Sequence, residues 1–212
     1  MSANRATPAG RTWYGALHTA LGLALIAFAA FHAYQNYPAL EHEEAWVARA
    51  VAIPLTFAFG IAVLAAIALH AVLGFASWLR HRARVARGES GRDWGLTFQL
   101  VTGAIVFAFV AFHVLQLWPS GSGTHSSVRE PYARLWAQLG HPLPLTIYIL
   151  GVSAFGFHLG HGLTRVVARI SSAMPKFVGR ALGGVLGFVL LLVFAQIVAR
   201  FALGEALIPL LS

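Results

Sequence analysis

Five long apolar stretches, separated by short polar segments, dominate the pattern of the chain. Each stretch supplies the roughly twenty apolar residues that an α-helix needs to cross the hydrocarbon core of a bilayer. The pattern predicts an all-α integral membrane protein, a single domain over residues 1–212 with five transmembrane helices. We place the spans near residues 14–37, 52–79, 95–118, 143–167 and 182–209.

Little of the chain is left for soluble structure. The longest connection, about 119–142, is predicted to carry a short helix that lies on the outer surface with Leu135, Trp136 and Leu139 on its apolar side. No connection is large enough for a soluble catalytic domain, and no glycine-rich phosphate loop follows a strand. Hydrophobic residues make up 58% of the chain and charged residues only 10%, which excludes a soluble globular protein.

Basic residues alternate between the connections, and eleven of the fifteen fall on one side. They are Arg5, Arg11, Arg80, Arg82, Arg84, Arg87, Arg92, Arg165, Arg169, Lys176 and Arg180. The positive-inside rule then predicts a cytoplasmic N-terminus, a retained cytoplasmic tail before the first span, and an outside C-terminus. Topology also explains the net charge of +8, so no nucleic-acid partner is expected. We predict a multi-pass protein of the bacterial cytoplasmic (inner) membrane.

Four histidines, each inside a different apolar stretch, are the candidate chemistry: His32, His70, His113 and His158. A histidine in hydrocarbon is costly and is by default a functional hypothesis, although a single one serves as often as an interhelical hydrogen bond. Our interpretation is that they ligate haem iron, two histidines to each haem. The chain has no cysteine, which excludes thiolate ligation and covalent haem attachment.

Depth sorts these histidines into two pairs. His32 and His113 come late in spans that run outward, whereas His70 and His158 come late in spans that run inward. Each pair therefore lies at its own level, one near the outer surface and one in the cytoplasmic half. His18 precedes His32 by fourteen residues and shares its helix face about 21 Å away, but no second helix repeats that spacing between histidines.

The inner ligand set stays open at this point. His158 and His161 are three residues apart on one helix face, and His18 lies at a comparable depth. Spacing alone does not choose among them, and a hydrogen bond to a neighbouring helix, to a haem propionate or to a quinone explains His18 and His161 equally well.

Short strings in a fixed order resemble a known family. They are LHTALG at 17–22, His32 with Asn36 four residues later, HAVLGF at 70–75, QLVTG followed by FHVLQ at 99–116, and FHLGHGL at 157–163. Together they resemble the single-polypeptide dihaem cytochrome b membrane anchor of succinate:quinone oxidoreductases and quinol:fumarate reductases, over about residues 14–200.

The resemblance implies two haems b, with His70 and His158 holding the inner haem and His32 and His113 the outer one. It favours His158 over His161. It also implies a flavoprotein subunit and an iron–sulphur subunit on the cytoplasmic face, and electron transfer through both haems to a quinone, usually menaquinone. Further candidate haem or quinone contacts are His18, His161, Gln35, Asn36, Gln116 and Arg200.

One departure from that family, and two other functions, have to be weighed. Some menaquinol-oxidising members carry a glutamate two residues before the fourth-span ligand, where this chain has Gly156.

The residues also permit two other functions. One alternative is a dihaem cytochrome b that serves a hydrogenase or a formate dehydrogenase. The other is a haem-free anchor or transporter whose histidines bind a transition-metal ion or relay protons.

Overall fold

The computed structural model describes residues 13–54, 57–117, 127–170, 175–205 and 207–208. The predicted N-terminal tail and the predicted far ends of the third and fifth spans, at 118 and 209, lie outside these residues.

Seven α-helices and one short 3-10 helix account for most of the described chain, which contains no strand. Five of the helices are long and apolar enough to cross a membrane, which confirms the predicted number of spans. They are α1 (Trp13–Asn36), α3 (Phe57–Ala86), α4 (Trp94–Leu117), α6 (Pro142–Ile170) and α7 (Lys176–Leu203). The 3-10 helix (Tyr37–Leu40) prolongs α1, and two short helices, α2 (Glu43–Ala52) and α5 (Glu130–Leu139), follow the first and third spans.

Two of the predicted spans, the second and the fifth, have other boundaries in the structure. The second span starts at Phe57 and not near 52, because α2 occupies the chain to Ala52 and Pro54 follows, which disfavours a continuous helix. The fifth span starts six residues earlier than predicted and ends at Leu203. It ends there because Gly204 adopts φ +79°, a left-handed conformation that closes the helix with a hydrogen bond to the Arg200 carbonyl.

Helix packing is tight on one side of the bundle and loose on the other. The backbones of α6 and α7 touch at glycines, since a Cβ built on Gly183 would collide with the Gly160 carbonyl oxygen. By contrast, none of the described residues of α3 is buried, although α3 contacts both α1 and α4. The loose packing of α3 leaves room inside the bundle.

The short helices close one end of the bundle, which we call the sealed end and define by its buried residues Ala39, Leu40, Tyr132, Leu139, Ile197 and Phe201. The predicted helix in the long connection is α5, but it does more than lie on a surface, because its Tyr132 and Leu139 are buried against α7. Helix α2 was not predicted. It begins at the cap residue His42, whose Nδ1 accepts a hydrogen bond from the Ala45 amide at 3.0 Å.

Candidate cofactor site

A cavity of about 790 Å³ runs along the inside of the bundle between α1, α3, α4 and α6. Its walls are mainly apolar, and the side chains of five histidines line it: His18, His32, His70, His113 and His158. A volume of this size with apolar walls and a few convergent polar groups is typical of a binding site for a cofactor or other small molecule.

Two pairs of imidazoles face each other across this cavity. The His32 pair, His32 on α1 and His113 on α4, has ring centroids 6.1 Å apart and ring planes at 80°. The His70 pair, His70 on α3 and His158 on α6, has ring centroids 6.3 Å apart and ring planes at 81°. These are the two pairs that sorting by depth predicts.

The spacing within each pair fits two imidazoles that ligate one metal from opposite sides. A histidine nitrogen lies about 2 Å from a bound transition metal. Adding the distance from that nitrogen to the centre of the ring on each side gives a centroid separation of about 6 Å. Both observed separations have this value, which also lies within the range of about 4.5–7 Å for two aromatic rings in edge-to-face contact.

Residue spacings on three helices, α1, α4 and α6, give the same distance between the His32 pair and the His70 pair along the bundle. Gly22 of α1 and Gly103 of α4 face the imidazoles of His70 and His158, and His32 and His113 each follow ten residues later. On α6, Tyr148 contacts His113, and His158 likewise follows ten residues later. Ten helical residues correspond to about 15 Å. The two pairs therefore lie about 15 Å apart along the bundle.

The Nδ1 atoms of three of the rings have a partner, and that of His32 is an amide donor, Asn36 Nδ2 at 3.4 Å. His158 Nδ1 lies 3.1 Å from the Gln99 carbonyl oxygen, to which it donates, and Gln99 Nε2 donates to the His158 carbonyl at 3.0 Å. His113 Nδ1 lies 2.8 Å from the Tyr148 hydroxyl. Metal-ligating histidines usually donate their other N–H to an oxygen in this way, which fixes the ring. His158 Nε2, the nitrogen that a metal would take, lies 3.3 Å from Gln99 Nε2 in this structure.

Glycines make room for the imidazoles. A Cβ built on Gly103 would lie 2.8 Å from His158 Cε1, and one built on Gly22 would lie 3.2 Å from His70 Cε1. Gly156 has a different role, since a Cβ there would lie 2.8 Å from Leu191 Cβ and 3.1 Å from the Gly187 carbonyl. Position 156 thus faces α7, and the glutamate found there in some of the resembling proteins has no space in this packing.

The other two candidate histidines occupy different positions. His18 stacks on His70, with ring centroids 4.2 Å apart and planes at 23°. His161 contacts Phe98, with ring centroids 6.0 Å apart, and its Nε2 is buried without a partner among the described residues. The ring that meets His70 at the ligand spacing is that of His158, so geometry distinguishes His158 from His161 where spacing in the sequence did not.

The four polar residues near the sealed end mostly hold the fold together. Gln35 donates to the Ile53 carbonyl at 2.8 Å, and Asn36 accepts from Trp46 Nε1 at 3.0 Å while donating to the His32 carbonyl. Arg200 donates to the Gly204 and Glu41 carbonyls. Gln116 Oε1 is buried and has no partner in the described part of the chain. Among the four, Asn36 lines the cavity.

At the opposite end, α3 continues past the apolar stretch into a set of arginines. This arginine-rich end is defined by Arg80, Arg82, Arg84, Arg87, Arg92 and Arg165. Three of its guanidinium groups lie over aromatic rings, for example Arg80 over Tyr14 at 4.0 Å. The end of the bundle nearer the His70 pair is thus strongly basic.

Asp93 joins α4 to α6 at this end. Its carboxylate accepts from the Leu96 amide at 3.0 Å and pairs with Arg165 at 2.8 Å. Desolvation raises the pKa of Asp93, but the Leu96 hydrogen bond and the Arg165 charge outweigh it, so its pKa is below the ordinary value of 3.8.

Sequence reasoning missed Gln99, Thr102 and Tyr148, which contact the Nδ1 atoms of His158 and His113. The sequence offered one signal for Tyr148: it lies ten residues before His158, the same interval that separates Gly103 from His113.

Comparisons with protein families, with curated proteins and with solved structures found no match to this chain.

Proposed function

We propose that this chain is a dihaem cytochrome b that carries electrons across a membrane, with one haem held by the His32 pair and the other by the His70 pair. The observation that carries the proposal is the recurrence of one geometry at two levels: opposed imidazoles from different helices, with centroids 6.1 and 6.3 Å apart across a shared apolar cavity. A bis-histidine haem b supplies reversible one-electron transfer when bound.

The ligand count favours haem over a bare metal ion. A zinc ion in a protein takes four ligands or three with a water. Among the described residues, no group of three or more His, Asp or Glu side chains is placed to hold a metal ion. Two imidazoles per level, facing each other, suit a metal whose four remaining ligands come from a macrocycle. The metal-ion form of the haem-free alternative is therefore disfavoured.

The chain's own residues would fix the ligands and exclude water. Tyr148 and the Gln99 carbonyl hold the rings of His113 and His158 through their Nδ1 atoms. The sealed end covers the His32 pair with packed apolar side chains, and Gly103 lets His158 approach α4 closely. Burial of a redox cofactor in apolar surroundings, together with hydrogen bonds to its ligands, tunes its potential.

The two ends of the bundle support a choice of docking end. We propose that a soluble iron–sulphur subunit and its flavoprotein dock at the arginine-rich end, and that electrons pass between them and a quinone through the two levels. The strings that resemble succinate:quinone oxidoreductase and quinol:fumarate reductase anchors support this choice of partners. Positive charge at that end supports docking of acidic surfaces.

The first test is a reduced-minus-oxidised spectrum with haem quantification on the purified protein. We expect two protohaems per chain, both low-spin and six-coordinate. The crossed ring planes predict strongly anisotropic electron paramagnetic resonance signals, because perpendicular imidazoles leave two iron d orbitals nearly equal in energy. Replacing His113 or His70 by alanine should remove one haem each. A colourless wild-type protein would contradict the proposal.

The second test identifies the partners. Gentle purification should bring along a flavoprotein and an iron–sulphur protein, and succinate should reduce part of the haem. Reduction by hydrogen or formate in place of succinate would assign the chain to the alternative dehydrogenase complexes, while leaving the dihaem proposal intact.

A further inference from the structure

We infer that Tyr148 is a positioning residue for His113 and that its hydroxyl sets the redox potential at the His32 pair without affecting the His70 pair. This inference rests on the proposed function. The Nδ1 atoms at the two levels have different partners. His113 Nδ1 lies 2.8 Å from the Tyr148 phenol, whereas His158 Nδ1 lies 3.1 Å from the Gln99 carbonyl oxygen and 3.3 Å from the Thr102 hydroxyl.

Tyr148 is rigidly placed. It is only 3% exposed, and the ring of Phe109 meets its ring edge-on with centroids 5.1 Å apart. Phe109 in turn packs onto Gly151, one turn along α6, where a Cβ would collide with the Phe109 ring. This packing between α4 and α6 holds the phenol oxygen against His113 Nδ1 and leaves it little freedom to turn away.

The hydrogen bond has one direction if His113 binds iron. A histidine that ligates through Nε2 carries its proton on Nδ1, and that N–H must donate. The Tyr148 oxygen is then the acceptor. An acceptor on Nδ1–H increases the basicity of the ring. A more basic ligand stabilises ferric relative to ferrous iron, so the hydroxyl lowers the potential at this level.

Tyr148→Phe removes this acceptor and keeps the aromatic ring in its packing. We expect the variant to retain two haems and to show one of its two redox waves shifted to higher potential, with the other unchanged. The shifted wave should be the one that His113→Ala abolishes. The His70 pair serves as an internal reference, because the Gln99 carbonyl and the Thr102 hydroxyl hold the ring of His158, and the substitution changes neither group.

A matched control is Tyr132→Phe. Tyr132 is also buried, at 5% exposed, but it packs against Trp46 and Phe201 at the sealed end. Removal of its hydroxyl should shift neither wave. A purely structural effect of losing a buried phenol would move both waves, or would appear equally in the control.

The experiment is a potentiometric titration of the haem absorbance on the wild type and both variants, with electron paramagnetic resonance of the oxidised samples. Tyr148→Phe that shifts neither wave, or both equally, overturns the inference while the two haems of the wild type leave the proposed function standing. A wild type without haem overturns both. If Tyr148→Phe does not assemble, a ring-fluorinated tyrosine at position 148 keeps the volume and weakens the acceptor; it should shift the same wave upward by less, and an unshifted wave overturns the inference.

Discussion

Replacing Gly103 by alanine tests whether the His70 pair depends on close approach of α4 and α6. The added Cβ would lie 2.8 Å from His158 Cε1 and 3.2 Å from His158 Nδ1, well inside the 3.4 Å at which ordinary contacts begin. The imidazole cannot swing away freely, because its Nδ1 donates to the Gln99 carbonyl on the same helix as the substitution. We expect His158 to move off the ligand position.

The magnitude follows from two opposing effects. Alanine is a better helix former than glycine by about 1 kcal/mol. Overpacking a well-filled contact costs about 1–3 kcal/mol. The matched substitution is Gly60→Ala on α3, which also lines the cavity but has no atom within 4 Å of the added Cβ. The difference in free energy of unfolding between the two variants should therefore be the steric cost alone, about 1–3 kcal/mol in favour of Gly60→Ala.

The assay is the haem content per chain together with thermal bleaching of the haem absorbance in detergent. Gly103→Ala should approach one haem per chain and bleach at a lower temperature, while Gly60→Ala keeps two haems and the thermal stability of the wild type or better. If Gly103→Ala retains two haems and bleaches at the same temperature as Gly60→Ala, the reasoning from this contact is refuted.

Three further predictions concern other contacts. Spectra and haem counts should show that His158→Ala loses one haem and His161→Ala keeps both; the reverse result would make His161 the ligand. Asp93 contributes stability that is full above pH 3.8 and is lost as the pH falls through its lowered folded pKa. Asp93→Asn should therefore make the free energy of unfolding less dependent on pH in acid. At neutral pH it should lower that free energy by only about 0.5 kcal/mol, because the salt bridge to Arg165 is partly exposed. An unchanged pH dependence in acid would contradict this. Gly183→Ala should destabilise the bundle more than Gly103→Ala, since its Cβ meets the Gly160 carbonyl and the Thr164 amide of the backbone as well as the Thr164 hydroxyl. Equal thermal stability of the two variants would argue against a backbone contact there.

The sequence was sufficient for the number of long helices and for which histidines share a level. Span length follows from bilayer thickness, and depth follows from the fixed rise of a helix. For this reason the pairing of His32 with His113 and of His70 with His158 could be predicted without knowing how the helices pack.

Contacts between helices could not be read from the sequence. Whether His158 or His161 faces His70 depends on the rotation of α6 about its own axis. Close packing of Gly156 and Gly160 of α6 against α7 determines that rotation. Tyr148 lies in an apolar stretch, and in the sequence it cannot be distinguished from an aromatic residue that faces lipid or packs between helices. Its contact with His113 becomes visible only when the position of α4 is known. Helix α2 was missed because its ten residues include charged side chains, which in the sequence indicate a loop. Its N-cap residue, His42, is also not one of the usual capping residues.

The most direct test of the central claim is to locate iron in crystals of the purified protein by anomalous scattering at the iron absorption edge. The account predicts two iron positions in each chain, one between His32 and His113 and one between His70 and His158, separated by about 15 Å along the bundle. A single iron, no iron, or irons away from these imidazoles would contradict it.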